Sequence, residues 1–171
     1  MTICVSSFPP LENPAARVLI LGSMPGVASL KAQQYYAHPR NLFWKIMGST
    51  FGFDPASPYA ERTQYLAKAG IAVWDVLKSC VREGSLDADI DLASAQPNDF
   101  ATFFASHTRI ERVCFNGGAA ASLFTRQVHP HLPRHLALQY LRLPSTSPAN
   151  ASIPFADKSR QWAAALQADR A

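Results

Sequence analysis

The chain has 171 residues, 48% hydrophobic and 16% charged, which suits one domain with a full core. Sixteen Lys and Arg against 12 Asp and Glu give net +4, a mild basic balance that permits an anionic partner such as DNA without demanding one. Three widely separated cysteines, Cys4, Cys80 and Cys114, argue against a disulfide framework or a Cys-based metal site, and no apolar run is long enough to span a bilayer.

Residues 17–22 (RVLILG) form an unbroken apolar run ending in glycine, the pattern of a strand buried on both faces of a parallel sheet. A Ser-Met-Pro-Gly turn follows. Residues 41–51 (NLFWKIMGSTF) predict a helix with Phe43, Trp44 and Met47 near one face. Residues 59–69 predict another. Residues 71–77 (IAVWDVL) read as a second strand running into a loop. Residues 78–95 mix Arg82, Glu83, Gly84, Asp87, Asp89 and Asp91, and read as an irregular surface excursion.

A short helix is expected over 98–106, opened by the capping types Asn98 and Asp99. Residues 110–115 make a third strand, Asn116-Gly117-Gly118 its turn, and 119–126 the start of an alanine-rich helix. Residues 136–143 make a fourth strand, 144–150 a turn-rich loop, and 157–169 a closing amphipathic helix with Trp162 and Leu166 inward. This alternation predicts one domain over 1–171, a doubly wound parallel α/β sandwich of about four strands. Ligands of such sheets bind beyond the carboxyl ends of the strands. The loops 23–41, 116–118 and 144–150 are therefore expected to share one rim.

Those loops hold the residues with chemistry. Gly22 and Gly26 permit tight turns, Pro25 stiffens the segment, and its peptide N–H groups can hold a water or a base carbonyl. Tyr35 and Tyr36 offer flat faces for stacking, although one of them suits core packing. His38 and Arg40 can approach phosphates. By spacing alone Asn41 reads first as a helix cap. Ser23 has the hydroxyl of a hydrolase nucleophile but lacks the GxSxG elbow. Ser145, Thr146 and Ser147, between two prolines, can donate to phosphate oxygens, or read as an ordinary surface turn. Asp75 can orient a water or cap a turn. Asp87, Asp89 and Asp91 lack a calcium loop's Gly and Glu and read as solvated. His129, His131 and His135 are broken up by Pro130 and Pro133 and read as a solvated loop rather than a metal site.

Taken together, GSMPG (22–26), YYAHPRNLFWKI (35–46) and LPSTSPAN (143–150) resemble the uracil-DNA glycosylase superfamily, and most of all its hypoxanthine-DNA glycosylase branch. The mismatch-specific uracil/thymine-DNA glycosylases are similar but more distant. The resemblance covers roughly 17–150 in the same order. It implies a three-layer α/β/α sandwich with a four-stranded parallel sheet. The uracil-specific relatives carry an Asp or Asn where this chain has Met24, and a His that its serine-rich loop lacks, which points to a different base.

The resemblance assigns Asn41 as catalytic, together with Ser23 at the start of the adjoining turn. It assigns Met24, Pro25, Gly26, Tyr36 and Asn116 to the base, with Tyr36 stacking. His38, Arg40, Ser145, Thr146, Ser147, Pro148 and Ala149 fall to the DNA, with Asp75 as an auxiliary. The implied activity is monofunctional hydrolysis of the N-glycosidic bond of a flipped deaminated base, hypoxanthine first, with uracil or xanthine as further candidates, in base excision repair. No cofactor or metal is expected. The expected partner is double-stranded damaged DNA, met by a monomer without membrane attachment. The expected compartment is cytoplasmic, at the nucleoid in a bacterium. The rivals are a G/U mismatch-specific uracil glycosylase, a small-molecule hydrolase using Ser23, and a DNA-binding module without chemistry.

Overall fold

A computed structural model describes residues 3–167. Four strands, β2 (Val18–Gly22), β3 (Ile71–Asp75), β6 (Arg112–Asn116) and β7 (Gln139–Leu143), form one sheet in the order β3-β2-β6-β7, every pair parallel. Successive side chains of a strand point to opposite faces. Along β2, Leu19 and Leu21 join one apolar cluster, while Val18 and Ile20 join the other. The first cluster is covered by α4 (Phe100–Ser106) and α5 (Gly118–Gln127), through Phe100, Phe104 and Phe124. The second is covered by α2 (Phe43–Phe51), α3 (Tyr59–Lys68) and α6 (Phe155–Gln167), through Phe43, Leu66 and Trp162. The result is the expected three-layer α/β/α sandwich.

Boundaries shift modestly from the sequence reading. The second strand ends at Asp75, and Leu77 begins another strand. The helix expected over 98–106 starts at Phe100, and the capping side chain is Asp99, which accepts the Thr102 N–H. Trp162 and Leu166 are buried as expected, while Asp169 lies outside the described residues. A six-residue helix, α1 (Val27–Ala32), was not anticipated; it ends at Gln33 in the left-handed region, φ 54°.

One expectation is overturned. Residues 78–95 are not an irregular excursion. They carry β4 (Leu77–Arg82) and most of β5 (Ile90–Pro97), which pair antiparallel, and β1 (Cys4–Ser6) completes a three-stranded sheet in the order β1-β4-β5. The ladder is interrupted by register shifts between Leu77 and Val81, which break the period-2 signal. Leu77, Cys80, Ile90 and Ala95 belong to the same apolar cluster as Leu19 and Leu21, so this ribbon packs on the main body.

Candidate active site

A pocket of about 150 Å3 opens where the parallel strands end. That is small beside the roughly 300–1,000 Å3 of drug-sized sites and suits one flat ring system. The three loops expected to share a rim do so: Ser23, Asn41, Asn116 and Ser147 all line it.

The turn after β2 supplies one wall. Met24, Pro25 and Gly26 line the pocket, with Met24 itself buried at 6% exposure. Gly22 stands at the floor, where close approach forbids a side chain. A Cβ there would lie 2.5 Å from Asp75 Oδ1 and 3.1 Å from Tyr36 Oη. Ser23 Oγ donates to the Asp87 carboxylate, so its proton is engaged by an acid and not by a histidine.

The segment before α2 supplies the facing wall. Tyr35 is core: it is 3% exposed and its hydroxyl donates to the Pro9 carbonyl. Tyr36 lines the pocket with φ +55°, its ring stacked on Phe43 at 4.0 Å between centroids, so only its other face or its edge can meet a ligand. Burial drives the Tyr36 phenol far above its usual pKa, with the charge of Asp75 adding and the Asn116 side chain opposing. His38 also lines the pocket, and its Nδ1 accepts the Arg40 N–H at 3.1 Å. Arg40 is exposed and does not line it.

Spacing leads Asn41 to be expected as a helix cap, and the resemblance implies a catalytic role for it. Its Oδ1 accepts the Phe43 N–H at 2.9 Å, as a capping side chain would, although the cap position itself is Leu42. That bond fixes which way the amide faces. Its Nδ2 has no hydrogen-bond partner among the described residues, and the side chain lines the pocket.

Asn116, at the end of β6, clasps the serine-rich loop. Its Nδ2 donates to Thr146 Oγ1 at 2.9 Å, and its Oδ1 accepts the Thr146 N–H at 2.9 Å. Thr146 also accepts the Leu42 N–H through its carbonyl at 3.0 Å. This corrects one expectation: Thr146 is fully buried and its hydroxyl is occupied, so it bridges β6, α2 and the loop rather than reaching a phosphate. Ser145, Ser147 and Pro148 line the pocket and remain partly exposed, and Ala149 is exposed beyond them.

Asp75 sits at the end of β3, 3% exposed, with its Oδ2 lacking a hydrogen-bond partner among the described residues. Burial raises its pKa to about 7; the charge of Asp87 adds to this and the Arg82 guanidinium opposes it. The sequence pattern around Asp87 suggests only a solvated side chain. It is exposed, but it lines the pocket and accepts from Ser23, so it belongs to the site. Lys158 was missed altogether. It is 1% exposed in α6, and its Nζ donates to the carbonyls of Ser145, at 2.8 Å, and Asn150. Its position in an amphipathic helix carried no signal, because a lysine there ordinarily faces solvent. No group of three or more His, Cys, Asp or Glu among the described residues is placed to hold a metal.

Residues 9–168 match the sequence profile of the uracil DNA glycosylase superfamily. A protein of Methanosarcina acetivorans named hypoxanthine DNA glycosylase is 31% identical over 161 residues, covering 94% of this chain and 96% of its own. One of the same name from Methanosarcina barkeri is 39% identical over 111 residues, 64% of this chain and 69% of that one. The solution NMR structure of a Methanosarcina acetivorans protein, described as a candidate uracil DNA glycosylase, matches with a TM-score of 0.80 at 31% identity, over 97% of this chain and 98% of that one. By profile, sequence and fold alike, the chain belongs to the uracil DNA glycosylase superfamily.

Proposed function

We propose that this protein is a monofunctional DNA glycosylase that everts hypoxanthine from double-stranded DNA and hydrolyses its N-glycosidic bond, acting as a monomer. The observation that carries the reading is Asn41: an amide whose oxygen is held by the Phe43 N–H and whose nitrogen has no partner among the described residues, lining a pocket small enough for one base. The names of the two Methanosarcina relatives support hypoxanthine as the base. Xanthine and uracil share its lactam edge and follow as weaker substrates.

A base must leave the helix before its glycosidic bond can be reached, and extrusion costs least where pairing is already poor. In the pocket, Tyr36 meets the base through its free face. The bond from C1′ to the base breaks with its electron pair leaving on the base, and water adds at C1′. The proton of that water ends on the released base. Such a dissociative reaction needs the departing anion stabilised more than it needs a strong base. The N–H groups of Met24 and Gly26, which have no acceptor among the described residues, supply donors. Asn41 Nδ2 supplies another, and its neutral amide positions rather than deprotonates. Asp75 stays neutral below about pH 7 and so does not repel that anion. No lysine is among the pocket-lining residues, so no imine step is assigned. Ser145, Ser147 and Pro148, partly exposed at the pocket rim, meet the flanking backbone.

Asn41→Ala tests this. In single turnover on a deoxyinosine duplex, hypoxanthine release is expected to fall by about 100-fold or more, with duplex affinity nearly unchanged. Release by the variant at the wild-type rate would remove Asn41 from the chemistry.

A further inference from the structure

Residues 82–87 grip the turn 23–27 at three points. Asp87 accepts from Ser23 Oγ, Ser85 Oγ accepts the Val27 N–H at 2.9 Å, and Arg82 Nη2 donates to the Pro25 carbonyl. Arg82 is the unusual member. It is 1% exposed, no carboxylate pairs with it among the described residues, and its Nε and Nη1 have no hydrogen-bond partner there. An unpaired buried guanidinium is costly, and a methionine of similar length would fill the same space without that cost. Departures of this kind concentrate at functional sites.

The geometry says what the charge does. The Pro25–Gly26 peptide is trans, as is every described peptide bond, so its C=O and N–H point in opposite directions. Arg82 holds the carbonyl from behind and does not line the pocket, whereas Gly26 does. The Gly26 N–H is therefore turned away from Arg82, and it has no acceptor among the described residues. A cation on the carbonyl oxygen draws electron density out of the amide and makes its N–H a stronger donor.

We propose that Arg82 is a positioning residue for base departure: it fixes and polarises the Pro25–Gly26 peptide so that the Gly26 N–H stabilises the negative charge developing on the leaving base. This rests on the glycosylase reading. It gives the antiparallel ribbon a task in the reaction.

The experiment is single-turnover release of hypoxanthine by wild type, Arg82→Lys, Arg82→Gln and Arg82→Met, with melting temperature and duplex affinity measured alongside. Arg82→Met is expected to be slower by about thirtyfold with unchanged affinity, below the loss for a donor that touches the substrate. Arg82→Gln, which keeps a neutral amide donor on a shorter side chain, should fall between, and Arg82→Lys should recover most of the rate. The same series is then run on 2-fluorohypoxanthine, whose anion leaves more readily. There the Arg82→Met deficit should shrink to roughly fivefold or less, because less stabilisation is required.

A merely structural role would slow both bases equally and give no rescue by lysine. Equal deficits on the two bases, or Arg82→Met within about threefold of wild type, overturn the inference. Should Arg82→Met fail to fold, Arg82→Gln carries the same two-base comparison. If wild type itself releases no hypoxanthine, the glycosylase reading fails first, and that is visible before any variant is compared.

Discussion

At the scale of single residues, Asp75 couples the site to pH. Its carboxyl rises from an ordinary 3.8 to about 7, chiefly by burial. A carboxyl whose folded pKa is raised contributes stability that is complete below its unfolded pKa and lost as pH climbs through the folded one. The penalty at pH 8 is therefore at its largest, on the order of 4 kcal/mol. Asp75→Asn removes the titration, so its melting temperature should gain on wild type between pH 5 and pH 8, and match it more closely at pH 4. The ionised carboxylate also repels a departing anionic base. Wild-type base release should thus decline above pH 7 while Asp75→Asn stays flatter. A variant tracking the wild-type stability curve across that range would show that Asp75 is not the group concerned.

At the scale of elements, the site depends on α6. Three of its contacts hold the loop after β7: Lys158 to the Ser145 and Asn150 carbonyls, and Trp162 Nε1 to the Pro144 carbonyl at 2.9 Å. Lys158→Met would leave two half-buried carbonyls without their donor, at roughly 1 kcal/mol each. The expected outcome is a folded protein with faster amide exchange at Ser147 and Ala149 and weaker duplex binding. Exchange and affinity equal to wild type would show that the loop holds itself. This dependence was not legible beforehand, because a buried lysine reads like any surface lysine of an amphipathic helix. The parallel strands were legible, since β2 is apolar at every position and buried at every position. The ribbon was not. Its pairing of Val5 with Cys80 joins distant parts of the chain, and the buried charge of Arg82 disguises an inward-facing position. Asn41 was legible as a cap and, by resemblance, as a catalyst; it stands one residue before the Leu42 cap, its oxygen is held by the Phe43 N–H, and its nitrogen has no partner among the described residues.

At the scale of the whole molecule, the fold brings the ends of four parallel strands together, so that Asn41, Asp75 and Asn116 border one cavity although they are far apart in the chain. The antiparallel ribbon braces that cavity from the side of the turn 23–27, and α6 from the side of the loop 144–150. No described helix is long and apolar enough to cross a membrane. The excess of four positive charges agrees with an anionic substrate without specifying one. The most direct measurement is free base released from matched duplexes carrying deoxyinosine, deoxyxanthosine, deoxyuridine or undamaged deoxyadenosine at one position, separated by chromatography. The account predicts hypoxanthine as the fastest product and no adenine. No base from any duplex, or adenine released as fast as hypoxanthine, would contradict it.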